Sequence, residues 1–134
     1  MSNTVNTINP TTEQIINTYT LLSQQQAEQV IEKSHQTYLQ WRLVSVTERA
    51  KHLNKLASLF EEQKDAIAKL MTEEMGKVYA QGLQEVELCA GICRYSAEHG
   101  PKILADEERD MDGGRAIVSY QPTGVLLGIQ PWNF

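Results

Sequence analysis

The stretch QPTGVLLGIQPWNF, residues 121–134, decides how the rest of the chain is read. Val125 to Ile129 form a short apolar run between Gly124 and Pro131, the pattern of a strand buried on both faces. A strand of that kind belongs to a parallel sheet, which needs neighbouring strands and crossover helices over its faces. The residues before it offer little of that. RAIVSYQ (115–121) reads as one strand from its β-branched and aromatic content, and PTG (122–124) turns it into the apolar run. Pro131, Trp132 and Asn133 then follow a buried strand, the place where ligands gather in open parallel sheets. Asn133 carries a neutral amide with two donors, suited to a developing negative charge without titrating itself. On position alone a structural reading, with Asn133 beginning a turn and Trp132 plugging the core, stands even with the functional one.

Upstream the pattern is helical. Tyr79, Leu83, Val86, Ala90, Cys93 and Ala97 alternate by four and three from near Lys77, with Gly100-Pro101 as the expected stop. Before them, Ser45 with Glu48 has the form of a capping box. Ala50, Leu53, Ala57, Phe60, Ile67, Leu70 and Met71 keep one helical phase behind it, which suits one long helix or two collinear ones, until Gly76. Ser23 with Gln26 gives a second capping box, followed by Ala27, Val30, Ile31, Ser34, Tyr38 and Trp41, so a helix is expected over 24–41. INPTTEQII (8–16) reads as a strand and reversal. The fold expected for this chain is mostly helical with short β-strands at both ends.

Composition bounds the function. The chain has 134 residues with 41% hydrophobic and 22% charged, about one small domain. Lys and Arg number 12 against 17 Asp and Glu, and no basic stripe is present, which argues against nucleic acid. The polar opening MSNTVNTINPTTEQ has no signal-peptide form, and no apolar run approaches the roughly 18 residues of a membrane span. A cytoplasmic location is expected.

Other chemistry reads as structural. Cys89 and Cys93, spaced i and i+4, fit a buried helix face better than a metal pair, and no metal site is expected. His35 and His52 fit a solvated face, and His99 fits the last helical turn, where its partial charge suits the dipole. In ERDMDGG (108–114) the first, third, fifth and sixth positions of a calcium loop are Glu108, Asp110, Asp112 and Gly113, but the twelfth falls on Ser119, so an acidic hairpin turn is the better reading. EMGK (74–77) reads as a helix end with Gly76 left-handed.

Taken together, INPTTEQII, YLQWR (38–42), TERAKHLNKLA (47–57), EEMGK (73–77), EVELCAGICRYSAEHG (85–100) and QPTGVLLGIQPWNF resemble the NAD(P)-dependent aldehyde dehydrogenases across nearly the whole chain. EMGK with YSAEHGPKIL (95–104) is most similar to the succinate-semialdehyde dehydrogenase branch. The resemblance implies an α/β, Rossmann-type parent of which this is an N-terminal fragment. Residues 1–22 would be an N-terminal strand or hairpin segment, 23–100 the helical part of the cofactor-binding domain, 101–122 an oligomerisation-type hairpin and 123–134 the first Rossmann strand. It also implies NAD or NADP as cofactor, a small aldehyde substrate oxidised through a cysteine thiohemiacetal, and a homo-oligomeric parent. Asn133 matches the side-chain donor to the oxyanion, and Ile129, Gln130, Pro131 and Trp132 match the segment lining the cofactor's ribose and nicotinamide. The family's catalytic cysteine, glutamate base and cofactor-phosphate lysine have no counterpart among these residues, so the isolated chain is expected to be inactive and prone to self-association. A non-enzymatic interaction module, or a degenerate remnant, is the rival class.

Overall fold

The computed structural model describes residues 3–130. In chain order it contains β1 (Thr4–Ile8), β2 (Ile15–Thr20), α1 (Gln24–Trp41), α2 (Val46–Glu62), α3 (Lys64–Met75), α4 (Tyr79–Ile103), β3 (Glu107–Met111) and β4 (Gly114–Val118). The chain divides into two units, Met1–Leu21 with Val46–Ala105, and Leu22–Ser45 with Asp106–Phe134.

In the first unit β1 and β2 pair antiparallel, with a bulge between Thr7 and Ile8. The reversal follows from the side chain of Asn9, whose Oδ1 accepts the backbone N–H groups of Thr11 at 2.9 Å and Thr12 at 3.1 Å. That arrangement carries the chain through Pro10 and places Glu13 at φ 59°. The turn leans on the helices, since a Cβ added at Gly76 would lie 3.4 Å from Pro10 Cγ.

α2 and α3 are two helices in one phase, parted only at Gln63, where φ is −103°. Hydrogen bonding runs through the break: Gln63 N–H donates to Leu59 O and Ile67 N–H to Gln63 O, each at 3.0 Å. α3 ends on Gly76 at φ 73°, with its N–H on Thr72 O. This is the left-handed cap expected from EMGK.

α4 packs along both preceding helices through small residues. Gly82, Val86, Ala90 and Ala97 are its buried positions, facing a core that includes Ala50, Ala57 and Ala68. The approach is closest at Gly82, where an added Cβ would meet Ala68 Cα and Cβ at 3.2 Å each. Arg94 holds Glu61 with two bonds, Nε to Oε1 at 3.2 Å and Nη2 to Oε2 at 2.5 Å, and Lys64 holds Glu87 at 2.8 Å. A half-buried ion pair joins Lys77 to Glu85.

The expected stop at Gly100-Pro101 is corrected: α4 continues to Ile103 with Pro101 inside it. Proline's fixed φ is helical, so one more turn forms despite the hydrogen bond that it cannot donate. Leu104 N–H closes it on Gly100 O at 3.0 Å. His99 therefore does not occupy the last turn, whose basic residue is Lys102; its ring packs edge-on against Tyr95, with centroids 4.2 Å apart. Cys89 and Cys93 are half-buried rather than buried, and both are free.

In the second unit α1 has the expected bounds and both halves of its capping box, Ser23 Oγ accepting from Gln26 N–H and Gln26 Oε1 accepting from Ser23 N–H. Its apolar face is a further correction, because no residue of α1 is buried and Val30 and Ile31 stay exposed. An amphipathic stripe is covered only where another element packs on it. β3 and β4 form an antiparallel hairpin turning at Asp112-Gly113, with Gly113 at φ 83°. Glu107 pairs with Arg109, and Glu108 with Arg115 at 3.1 Å, so two of the acidic side chains near the turn are bound to arginines. The largest correction concerns Val125–Ile129. Residues 119–130 contain no helix or strand, and Leu126, Leu127 and Ile129 are 82%, 87% and 84% exposed. A strand's backbone hydrogen bonds come from a neighbour, and among the described residues none pairs with this run.

Candidate functional site

The candidate site lies in the second unit, along Gln121–Gln130 and the end of α1. Tyr38 is in the last turn of α1 and half-buried, and its hydroxyl donates to the carbonyl of Pro122 at 3.2 Å, across 84 residues of sequence. Tyr38, Arg42, Leu43, Gln121 and Pro122 line a cleft of about 420 Å³. Arg42 caps α1, its backbone N–H bonding to Tyr38 O at 2.9 Å. Gln121 Nε2 donates to Ser119 Oγ at 3.0 Å. A phenol, a guanidinium and an amide can bind and orient a polar ligand.

Beyond the cleft Gly124 has φ 118°, a left-handed angle that redirects the chain toward Val125. Ile129 and Gln130 are both exposed, and the Gln130 amide folds back so that a Cβ at Gly128 would meet its Nε2 at 3.2 Å. The other sequence-predicted site residues, Pro131, Trp132 and Asn133, lie outside the described residues. What the structure does bring together is Tyr38 with Pro122. Helical spacing places Tyr38 on a face of α1 but does not point to a partner 84 residues on, and no local signal in the sequence does.

The groups with displaced pKa values belong to the first unit and hold its helices. Tyr79 donates to Asp65 Oδ1 at 2.6 Å. That bond, then desolvation and the carboxylate's charge, hold the phenol above its ordinary 10.0. Lys64 is held above 10.5 first by its hydrogen bond to Glu87 and then by that carboxylate's charge. Asp65 and Tyr79 also line a groove of about 530 Å³ with Ala66, Lys69, Thr72 and Glu73. Lys69 faces Glu73 at 3.7 Å, so the groove's charged groups are engaged with one another. Among the described residues no three His, Cys, Asp or Glu gather to hold a metal, and no helix is long and apolar enough to cross a membrane.

Comparison with known proteins places these elements in context. A protein of Synechocystis sp. named a probable succinate-semialdehyde dehydrogenase (NADP+) is 38% identical over 128 residues, covering 96% of this chain and 28% of the relative. The succinate-semialdehyde dehydrogenase (NADP+) of Deinococcus radiodurans is 39% identical over 128 residues, covering 96% of this chain and 27% of its own length. The chain thus spans little more than a quarter of the curated relatives it matches. Among solved structures, the succinic semialdehyde dehydrogenase of Streptococcus pyogenes in complex with NADP+ matches with a TM-score of 0.78 and 31% identity, over 84% of this chain and 25% of that one. The sequence profile of the aldehyde dehydrogenase family matches residues 1–134, from the first hairpin through the segment that carries the candidate site, and the chain belongs to that family.

Proposed function

We propose that this chain is the N-terminal part of an oxidoreductase that oxidises succinate semialdehyde to its carboxylate with NADP+ in the cytoplasm, as a homo-oligomer. The observation that carries the reading is the family match over the whole chain, together with relatives named for that substrate and cofactor. The free thiols of Cys89 and Cys93 suit a reducing compartment. In the whole protein Val125–Ile129 would be the first strand of the cofactor-binding sheet, once neighbours supply its hydrogen bonds. The hairpin of β3 and β4 would serve oligomerisation.

The residues at hand fit a dinucleotide's ribose and nicotinamide half. Ile129 offers an open apolar side chain, and Gln130 offers a neutral amide over Gly128, where no side chain intrudes. Pro131 and Trp132 would extend that lining. When bound, the nicotinamide accepts the hydride. Asn133 would donate its amide to the aldehyde oxygen as a thiolate from elsewhere in the whole protein attacks the carbonyl. Charge then moves onto oxygen in a site that excludes water, and a preorganised donor stabilises the transition state more than the substrate.

The test is hydride transfer in the whole protein, measured before steady state so that slow release does not hide the step. Asn133→Ala should slow transfer about a hundredfold to a thousandfold, or roughly 3 to 4 kcal/mol, while cofactor affinity changes little. Asn133→Asp should be slower still, since it puts a carboxylate where negative charge develops. Wild-type transfer in both variants, with intact folding, makes Asn133 a turn residue.

A further inference from the structure

We propose that Tyr38 is the positioning residue for the segment leading to Ile129, Gln130 and Asn133, an inference that rests on the function proposed above. The segment has no ladder of its own: residues 119–130 form neither helix nor strand. Among the described residues it is tied to the rest of the second unit by Tyr120 Oη, which donates to Glu107 Oε1 at 3.3 Å, and by Tyr38 Oη, which donates to the backbone carbonyl of Pro122 at 3.2 Å. Proline has no N–H, so that carbonyl is the only backbone group through which residue 122 can be held.

The tether sits where direction is decided. Two residues on, Gly124 turns the chain at φ 118°, and Asn133 lies eleven residues after Pro122. Holding the carbonyl just before a left-handed glycine sets the angle at which Val125 to Ile129 leave the cleft. The anchor is itself fixed, because α1 is capped by Ser23 and Gln26 at its start and closed by Arg42 N–H on Tyr38 O at its end. The ring of Tyr38 lies beside His35, with centroids 6.0 Å apart. A phenol turns about only two side-chain angles, so a ring that lies beside His35 and lines the cleft has few ways to place its hydroxyl.

Tyr38→Phe removes the hydroxyl and keeps the ring. In the whole protein it should speed amide exchange at Thr123 and Gly124, ahead of the proposed strand, while the amides of α1 exchange as before. It should slow hydride transfer roughly threefold to tenfold, the scale of one net hydrogen bond. In an Asn133→Ala background the same change should cost less than about twofold, because the aimed donor is gone. An equal cost in both backgrounds would mean that Tyr38 acts on general stability, and no cost in either would remove the role; both outcomes overturn the inference. If Asn133→Ala itself transfers hydride normally, the oxyanion reading fails separately, and amide exchange then decides: unchanged exchange at Thr123 and Gly124 overturns the tether and faster exchange sustains it.

Discussion

The helices α2 to α4 and the segment 119–130 both carry apolar residues that the sequence marks for burial, and they reach opposite outcomes. Val86 on α4 is 1% exposed, whereas Leu127 in the segment is 87% exposed. A helix satisfies its backbone within itself, so α4 needs only a surface to lie against, and the small residues of α2 and α3 provide one. An extended run satisfies nothing alone. The comparison teaches that hydrophobicity marks what is to be buried, while the source of the backbone hydrogen bonds decides whether burial can occur within this stretch of chain.

The comparison breaks most sharply at Gly82. Gly82→Leu would drive a branched side chain into Ala68 backbone and should destabilise the helical unit by about 3 kcal/mol or more in urea unfolding followed by circular dichroism. Gly82→Ala should stay near neutral, since the helix-propensity gain of about 1 kcal/mol opposes a contact only a few tenths of an ångström too close. A tolerated leucine would mean that α3 and α4 do not meet there. Val86→Ala comes next, at about 2 kcal/mol from lost burial and a small cavity. Ser23→Ala removes a cap from α1 and should cost about 1 kcal/mol, read as lost helicity.

Smaller effects sharpen the other side of the contrast. Arg94→Ala should cost at most about 1 kcal/mol despite two bonds to Glu61, because both partners are half-exposed and screened. Leu127→Ser should change folding stability by less than about 0.5 kcal/mol but reduce concentration-dependent association in sedimentation, since it lowers exposed apolar surface. Alkaline pH separates the regions too. Tyr79 and Lys64 have folded pKa values raised above 10.0 and 10.5, so their contribution is fully present below those values and is lost as pH rises through the folded ones. Unfolding followed from roughly pH 7 to 11 should show no loss from these two groups near neutrality and a loss above about pH 10. No loss above about pH 10 would mean that the Asp65 and Glu87 contacts are not made.

The proportion of the molecule legible from residues alone follows the range of the interactions. The capping box of Ser23 and Gln26, the left-handed Gly76, the reversal within INPTTEQII and the acidic turn of ERDMDGG all rest on bonds spanning five residues or fewer, and each is found in the stretch where the sequence places it. The sequence marked the candidate site as a stretch, Ile129 to Asn133, through position and resemblance. It did not mark the anchor, because the bond from Tyr38 to Pro122 spans 84 residues and neither side chain type demands the other.

Sequence by itself determined the helices, their phase and most of their ends, because each of these is settled by contacts within a turn or two of chain. Tertiary structure alone decided three things: the approach of Gly82 to Ala68, the openness of the apolar face of α1, and the absence of a strand at Val125 to Ile129. The physical reason is common to all three. Periodicity states which side chains favour leaving water, but a close approach, a covered face and a strand each need a second element in the right place, and only the folded chain shows whether one is there.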